Sequence, residues 1–209
     1  MPLENIQWLG HASFAISGEG LYYIDPYDLK GKPQPADIIF VTHPHFDHWS
    51  PKDIQKILKP ETKIVAVNGC EGLKVSQVAK PFEEFTIENI KVKTIPAYNV
   101  NPQRLQFHPR PNNWVGYILE VNGMTIFHAG DTDFIPEMNG MKPDVALLPM
   151  GGTYTMDVDE MIQAANAIHA GVTVPMHYKR LLGNKSKDAE QKVISSVQGK
   201  VEILDEVNL

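Results

Sequence analysis

Residues 36–48 read Ala36-Asp37-Ile38-Ile39-Phe40-Val41-Thr42-His43-Pro44-His45-Phe46-Asp47-His48, and the fold is decided here. Residues 36 to 42 are a short apolar run rich in β-branched and aromatic side chains, which suits a buried strand better than a helix. Three imidazoles and a carboxylate follow within six residues, a density that core packing does not require and that suits one half of a metal site. Strand side chains repeat every two residues, so His43 and His45 leave the strand end on the same side. Pro44 has no N–H and disfavours helix at the residue before it, so the ligand segment is expected to be an extended loop. Ser50, Pro51 and Asp53 then supply an N-cap, a residue suited to the first helical position and an acidic first turn. Asp47 and His48 thereby fall at a loop-to-helix junction, where the chain can turn and aim His48 to a different side.

Metal centres of this type use about four to six donors, so the others must come from distant segments. Two segments repeat the strand-then-ligand pattern. Met124 to Ala129 reads as a strand and is followed by Gly130-Asp131-Thr132-Asp133, a turn in which Asp131 offers two oxygens suited to bridging. Gly171 to Met176 reads as another short strand, with Pro175 marking its last residue or an edge, and His177 follows as a distal ligand. In isolation Asp131 would be ordinary turn chemistry; beside the histidine cluster it reads as a ligand.

These pieces, with the opening Trp8-Leu9-Gly10-His11-Ala12-Ser13, resemble the metallo-β-lactamase superfamily of metal-dependent hydrolases in content and in order. They span residues 8 to 177. The opening is similar to the branch that contains ascorbate phosphate lactonases and N-acyl phosphatidylethanolamine phospholipase D. The resemblance implies an α/β fold, an αββα four-layer sandwich of two mixed β-sheets flanked by helices, with the metals at one edge. It implies two divalent ions, zinc first, with manganese or iron(II) as alternatives. His43 and His45 would hold one ion, Asp47, His48 and His177 the other, and Asp131 would bridge them.

One position departs from the pattern. The superfamily usually adds a histidine after a strand in the middle of the chain, but here Val92 to Tyr98 is followed by Asn99. A neutral amide oxygen is a poorer zinc ligand than imidazole, though acceptable to harder ions. Asn99 therefore reads as a weaker ligand or as a residue behind the ligands. His108, in Phe107-His108-Pro109-Arg110, is close enough for a folded loop to bring it in as a replacement, with a surface-loop histidine as the default. His11 follows an expected strand, Asn5 to Leu9, and could line the active edge as a transition-state hydrogen-bond partner. His128 reads as structural because it sits inside a strand. His169 falls in the last turn of a helix from about Val158, where a cation suits the dipole.

Lys30, Lys32, Arg104, Arg110, Lys179 and Arg180 fall in expected loops. Individually each reads as a solvated surface charge, although those near Asn99 and His177, chiefly Arg110 and Lys179, could clamp an anionic group. Gly151-Gly152-Thr153-Tyr154-Thr155 leads from the apolar run Asp144 to Pro149 into a helix with Met161, Ile162, Ala165 and Ile168 on one face. It is expected to be a turn, with Thr153 or Tyr154 available for substrate contact.

With 43% hydrophobic residues, the 209-residue chain can bury a sizeable core and fits one domain, residues 1–209. Gly31 to Pro35 and Asn101 to Asn113 read as surface loops, the second long enough for an active-site lid. Met1 to Asn5 carries no secretion signal and no stretch approaches a membrane span, so a soluble, cytoplasmic protein is expected. Cys70 is the single cysteine, expected to be a buried bystander. The net charge of −6 argues against non-specific nucleic-acid binding. The partner expected is a small anionic molecule, with no nucleic acid and no membrane; homo-oligomer formation is left open.

The chemistry expected is hydrolysis by a hydroxide bridging two ions about 3.5–4 Å apart, which brings the pKa of water toward 7. Its target would be a small anionic ester, phosphodiester or lactone, with Asp47 and His11 as the catalytic side chains. Two other classes compete: a non-catalytic metal-binding protein with a degenerate first site, which Asn99 favours, and a di-iron redox enzyme.

Overall fold

Burial along the strands separates two kinds. Ile38–Phe40, Val145–Pro149 and Val172–Met176 are buried at every residue, as parallel strands covered on both faces should be. Ile90–Pro96 alternates buried and wetter positions, the mark of a strand with one face toward solvent. The computed structural model describes residues 3–209; Met1 and Pro2, part of the N-terminal reading, lie outside the described residues. It divides into two compact units, one running to Lys80 and taking back Leu204–Leu209, the other Pro81–Ile203.

The first unit carries a six-stranded mixed sheet. β1 (Ile6–Gly10), β2 (Ser13–Ser17) and β3 (Leu21–Ile24) pair antiparallel. β4 (Ile38–Phe40), β5 (Lys63–Ala66) and β6 (Gln77–Val78) continue in parallel. The regular part of β4 is shorter than the apolar run, although the Val41 N–H still reaches the Val65 carbonyl at 2.8 Å. Helix α1 (Pro51–Ile57) starts where the sequence indicates: Ser50 is the N-cap, its Oγ accepting from the Asp53 N–H at 3.3 Å. Asp53 also accepts from the backbone of Asp28 at 2.9 Å and Leu29 at 3.2 Å, tying the helix start to the β3–β4 connection. Burial alone would raise its carboxyl, but Lys56, Ser50 and the Asp28 N–H outweigh that and hold it below the usual carboxylate range.

The second unit carries a seven-stranded mixed sheet. β7 (Glu84–Ile87), β8 (Ile90–Pro96), β9 (Val115–Val121) and β10 (Met124–His128) are antiparallel. β11 (Val145–Pro149), β12 (Val172–Met176) and β13 (Lys200–Val201) then run parallel. Helix α2 (Val158–Ile168) bridges β11 and β12 and opens with a reciprocal capping box between Asp157 and Glu160. It buries Met161, Ile162, Ala165 and Ile168, the face indicated by their spacing. His169 is its C-cap, at φ 57°, one step beyond the last turn expected. α3 (Lys179–Leu182) and α4 (Ser186–Ser196) lie between β12 and β13 in sequence. Pro175 is tolerated because β13 pairs only with Val172 and Thr173, so the missing N–H faces no strand on that side.

Strand direction does the positioning. Two antiparallel steps return β3 to the direction of β1, and β4 is parallel to β3, so the C-terminal ends of β1, β3 and β4 share one edge of the first sheet. The same reasoning puts the C-terminal ends of β8, β10, β11 and β12 on one edge of the second. Parallel α/β sheets place their ligands at such edges. No helix among the described residues is long and apolar enough to cross a membrane.

Candidate metal centre

In the first unit the edge gathers His11 after β1, Asp25 after β3, and the His43–His48 loop after β4. His43 and His48 are fully buried, with ring centroids 4.0 Å apart, and His43 lies 4.6 Å from His45. The His43 Nε2 is 3.0 Å from the His45 Nδ1. His11, Asp47 and His48 each offer a ligand atom within 4.8 Å of the others, and the His11 Nε2 meets the Asp47 Oδ2 at 2.9 Å. His11 sits in the β1–β2 turn at φ 52°, its carbonyl held by the Trp8 Nε1–H at 2.9 Å.

Asp25, which the reading of the sequence passed over, organises this cluster. It is fully buried and accepts from the Thr42 N–H at 2.8 Å, the Thr42 hydroxyl at 2.7 Å and the His48 Nδ1 at 2.7 Å. Because the Thr42 hydroxyl donates to Asp25, its oxygen accepts from the His43 Nδ1, 3.0 Å away. The network therefore assigns the proton of both rings to Nδ1, leaving Nε2 as the nitrogen with the lone pair. A carboxylate behind the imidazole is how metal-binding histidines are commonly oriented. The signal was present: Asp25 directly follows the apolar β3, as the other candidates follow their strands.

In the second unit, Asp131, His108 and His177 are buried together. The His177 Nε2 lies 3.1 Å and the His108 Nε2 3.4 Å from the same Asp131 oxygen, Oδ2. His108 is thus no surface-loop histidine: backbone pairing carries it inward, with the Asn99 N–H bonded to the His108 carbonyl at 2.9 Å, and its ring packs edge-on to Trp114. His177 follows β12 at φ 57°. Gly151 is required beside it, since a Cβ there would come 2.5 Å from the His177 carbonyl.

Asn99 is engaged as a spacer behind this cluster. Its Oδ1 accepts from the His108 backbone N–H at 3.0 Å and from the His108 Nδ1 at 2.9 Å, and its Nδ2 donates to Asp133 Oδ1 and the Tyr154 carbonyl, both at 3.0 Å. Asp133 accepts further from the Val100 and Asn101 N–H groups, each at 2.8 Å. Arg104, expected on the surface, is buried between Asp133 at 2.9 Å and Glu160 at 2.6 Å. The Asn101 to Asn113 loop is therefore pinned from inside at Arg104 and His108, which is not the construction of a free lid.

The remaining candidates lie apart from these contacts. Arg110 is exposed, its guanidinium 3.3 Å from Glu137 and stacked 4.8 Å over the Tyr98 ring. Thr153 and Tyr154 are exposed, with Tyr154 edge-on to Phe107 at 4.8 Å. Lys179 is half-buried at the start of α3. His128 is the last residue of β10, and its Nδ1 accepts from the Gly130 N–H at 3.1 Å. Buried imidazole nitrogens and carboxylate oxygens are a donor set that fits zinc, manganese or iron(II). Cys70 is buried, and burial, and then the charge of Asp25, push its thiol up to about 12.

The model of the β-lactamase superfamily domain matches residues 5–177 of this chain. The chain belongs to that superfamily. Within it, the chain is 30% identical to a UPF0173 metal-dependent hydrolase of Thermoplasma acidophilum, over 98% of this chain and 97% of that one. A UPF0173 metal-dependent hydrolase of Methanoculleus marisnigri is 35% identical over 83% of this chain and 80% of its own. A crystal structure from Parabacteroides distasonis is 32% identical with a TM-score of 0.83, covering 97% of this chain and 93% of that one. These place the chain in the UPF0173 metal-dependent hydrolase family, and its two mixed sheets with flanking helices are those of the metallo-β-lactamase fold.

Proposed function

We propose that this UPF0173 protein hydrolyses a small anionic ester, a phosphodiester or a lactone, with two divalent ions, zinc first and manganese or iron(II) as alternatives. The observation that carries the reading is the Asp25–Thr42 network, which turns the lone pairs of His43 and His48 to Nε2 in a buried, histidine-rich cluster. His43, His45, Asp47 and His48 supply donors from the first unit, and Asp131 and His177 from the second. That both sets serve one reaction, in one domain, is supported by the family match, which runs unbroken from residue 5 to 177. Bound divalent ions supply a water of pKa near 7 and polarise the substrate oxygen.

The side chains do the rest. Asp47, partly exposed and 2.9 Å from the His11 Nε2, takes a proton from the attacking water or delivers one to the leaving group. His11, fixed by its turn, donates to the negative charge that develops on the substrate. Lys179, Thr153 and Tyr154 are the groups offered to an anionic substrate; Arg110 contributes least, its charge being opposed by Glu137. The Trp8-to-Ser13 opening, similar to the lactonase and phospholipase D branch, supports these two ester classes. Cytoplasmic residence fits the expected small-molecule substrate.

Asn99 no longer favours the non-catalytic alternative, because its amide is committed to His108, Asp133 and Tyr154. The test is chelation followed by reconstitution, assayed on bis(4-nitrophenyl) phosphate and a panel of lactones. Turnover that disappears with the metal and returns with zinc, manganese or iron(II) supports the proposal. Full metal loading without turnover on either class rejects the ester assignment.

A further inference from the structure

The first unit carries a row of rings that the chemistry proposed above does not use. Phe46 stands between His45 and Asp47 and is 74% exposed, the most exposed large apolar side chain among the described residues. Single exposed apolar residues are ordinary, but this one belongs to a series. Its ring meets Tyr27 at a centroid distance of 5.9 Å and an interplanar angle of 79°. Tyr27 lies 5.9 Å from the His11 ring, and His11 lies 5.7 Å from His48. The row therefore runs without a break from solvent to the buried histidine cluster, passing the His11 ring whose Nε2 meets Asp47.

Both outer rings are held from behind. The His48 and Trp49 N–H groups reach the His45 carbonyl at 3.0 and 2.7 Å, so residues 45–49 form a closed turn with Phe46 at its first corner. The buried Trp49 anchors that turn by donating its indole N–H to the Glu71 carbonyl at 2.8 Å. On the other side, Asp25 is locked to Thr42 and His48, and Asp53 of α1 holds the Asp28 and Leu29 N–H groups, which fixes the backbone before and after Tyr27. Folding does not call for an aromatic at position 46, since a side chain this exposed can be small or polar at little cost to stability. The two nearly perpendicular rings form a corner. A flat ring entering it can stack on one wall and meet the other edge-on, the two arrangements that aromatic pairs prefer, and walls already in place lose little freedom on binding.

We propose that Phe46 and Tyr27 form a subsite for an aryl group of the substrate, so that the protein prefers aryl-bearing anionic esters to alkyl ones. The subsite rests on the anionic-ester reading above and narrows its substrate class. The scissile group lies beside His11 and Asp47, and the ring attached to it lies in the corner.

Calorimetry on the zinc-loaded full chain with three anions that have no ester bond to hydrolyse, phenyl-, cyclohexyl- and methylphosphonate, reads the subsite apart from turnover. The wild type should bind phenylphosphonate about 10- to 100-fold more tightly than methylphosphonate, the gain expected from burying one ring, with cyclohexylphosphonate between them. Phe46→Ala should shrink the phenyl-to-methyl ratio about 10-fold, and the exposure of Phe46 means that the core is untouched. Phe46→Leu keeps apolar bulk without the ring, so it should still bind cyclohexylphosphonate and lose the preference for phenyl over cyclohexyl.

A phenyl-to-methyl preference that Phe46→Ala leaves intact overturns the subsite. A wild type that prefers cyclohexyl- to phenylphosphonate overturns the aryl assignment. Zinc-loaded protein that binds methylphosphonate and phenylphosphonate equally refutes this inference alone, whereas a chain that takes up no zinc, or binds none of the three anions once loaded, brings down the anionic-ester reading with it.

Discussion

The two units solve the same problem by different means. Each directs several strand ends to one sheet edge and buries imidazoles there, but the first takes most of its candidate donors from one loop, His43 to His48, whereas the second collects its buried polar cluster, His108, Asp131 and His177, from three separated segments. The supports differ too. In the first unit a single buried carboxylate, Asp25, orients two rings directly or through Thr42. In the second, an amide, a carboxylate, a guanidinium and a helix-capping glutamate form a chain behind His108. Donors packed into one loop need one support; donors from scattered segments need a scaffold that also fixes the loops.

The contrast can be broken most decisively by removing one donor from each unit. His48→Ala and Asp131→Ala should each lower kcat/KM on the active ester by on the order of 1000-fold or more, about 4 kcal/mol of transition-state stabilisation. Circular dichroism should show both variants folded. If either retains wild-type turnover, the two clusters do not serve one reaction.

Replacing the carboxylates behind the donors separates the two designs. Asp133→Asn leaves the buried Arg104 without one of its two anionic partners and should cost about 3 kcal/mol of stability by denaturant titration. Asp25→Asn should act chiefly on the metal, weakening zinc about 10- to 100-fold. Equal stability losses and equal zinc losses in the two variants would erase the distinction between a scaffold and a direct support.

The smallest effect tests the frame of the first unit. The folded Asp53 carboxyl is held below its ordinary value of about 3.9, so the stabilisation it gives is complete above that value and is lost as pH falls through the folded one. Asp53→Asn should therefore cost about 1–2 kcal/mol at pH 7. Thermal melts from pH 7 to pH 2.5 should show the two proteins converging as the pH drops below about 4; a constant difference would mean that charge is not the cause.

The same contrast explains what could be read from the chain. The first donor loop was legible because its residues are adjacent and strand-end geometry is local, and α1 was legible from Ser50, Pro51 and Asp53. Fold and family followed from the order of the motifs. His108 was the hard case: a loop histidine is ordinary in sequence, and only the pairing of residues 99 and 108 turns it inward. Arg104 misled for a similar reason, since a lone arginine in a polar, proline-rich loop suggests solvent, and its partners Asp133 and Glu160 lie 29 and 56 residues further along the chain. Asp25 carried the strand-then-carboxylate pattern used elsewhere, but nothing in one dimension linked it to His48.

The function proposed for this protein requires its buried histidines and aspartates to hold divalent ions. Anomalous diffraction at the zinc, manganese and iron edges, from crystals of the protein as isolated and after zinc soaking, addresses it most directly. Ion peaks are expected about 2.0–2.2 Å from the His48 Nε2 and from an Asp131 oxygen. Crystals that show no anomalous peak within coordination distance of either cluster, before or after soaking, would contradict it.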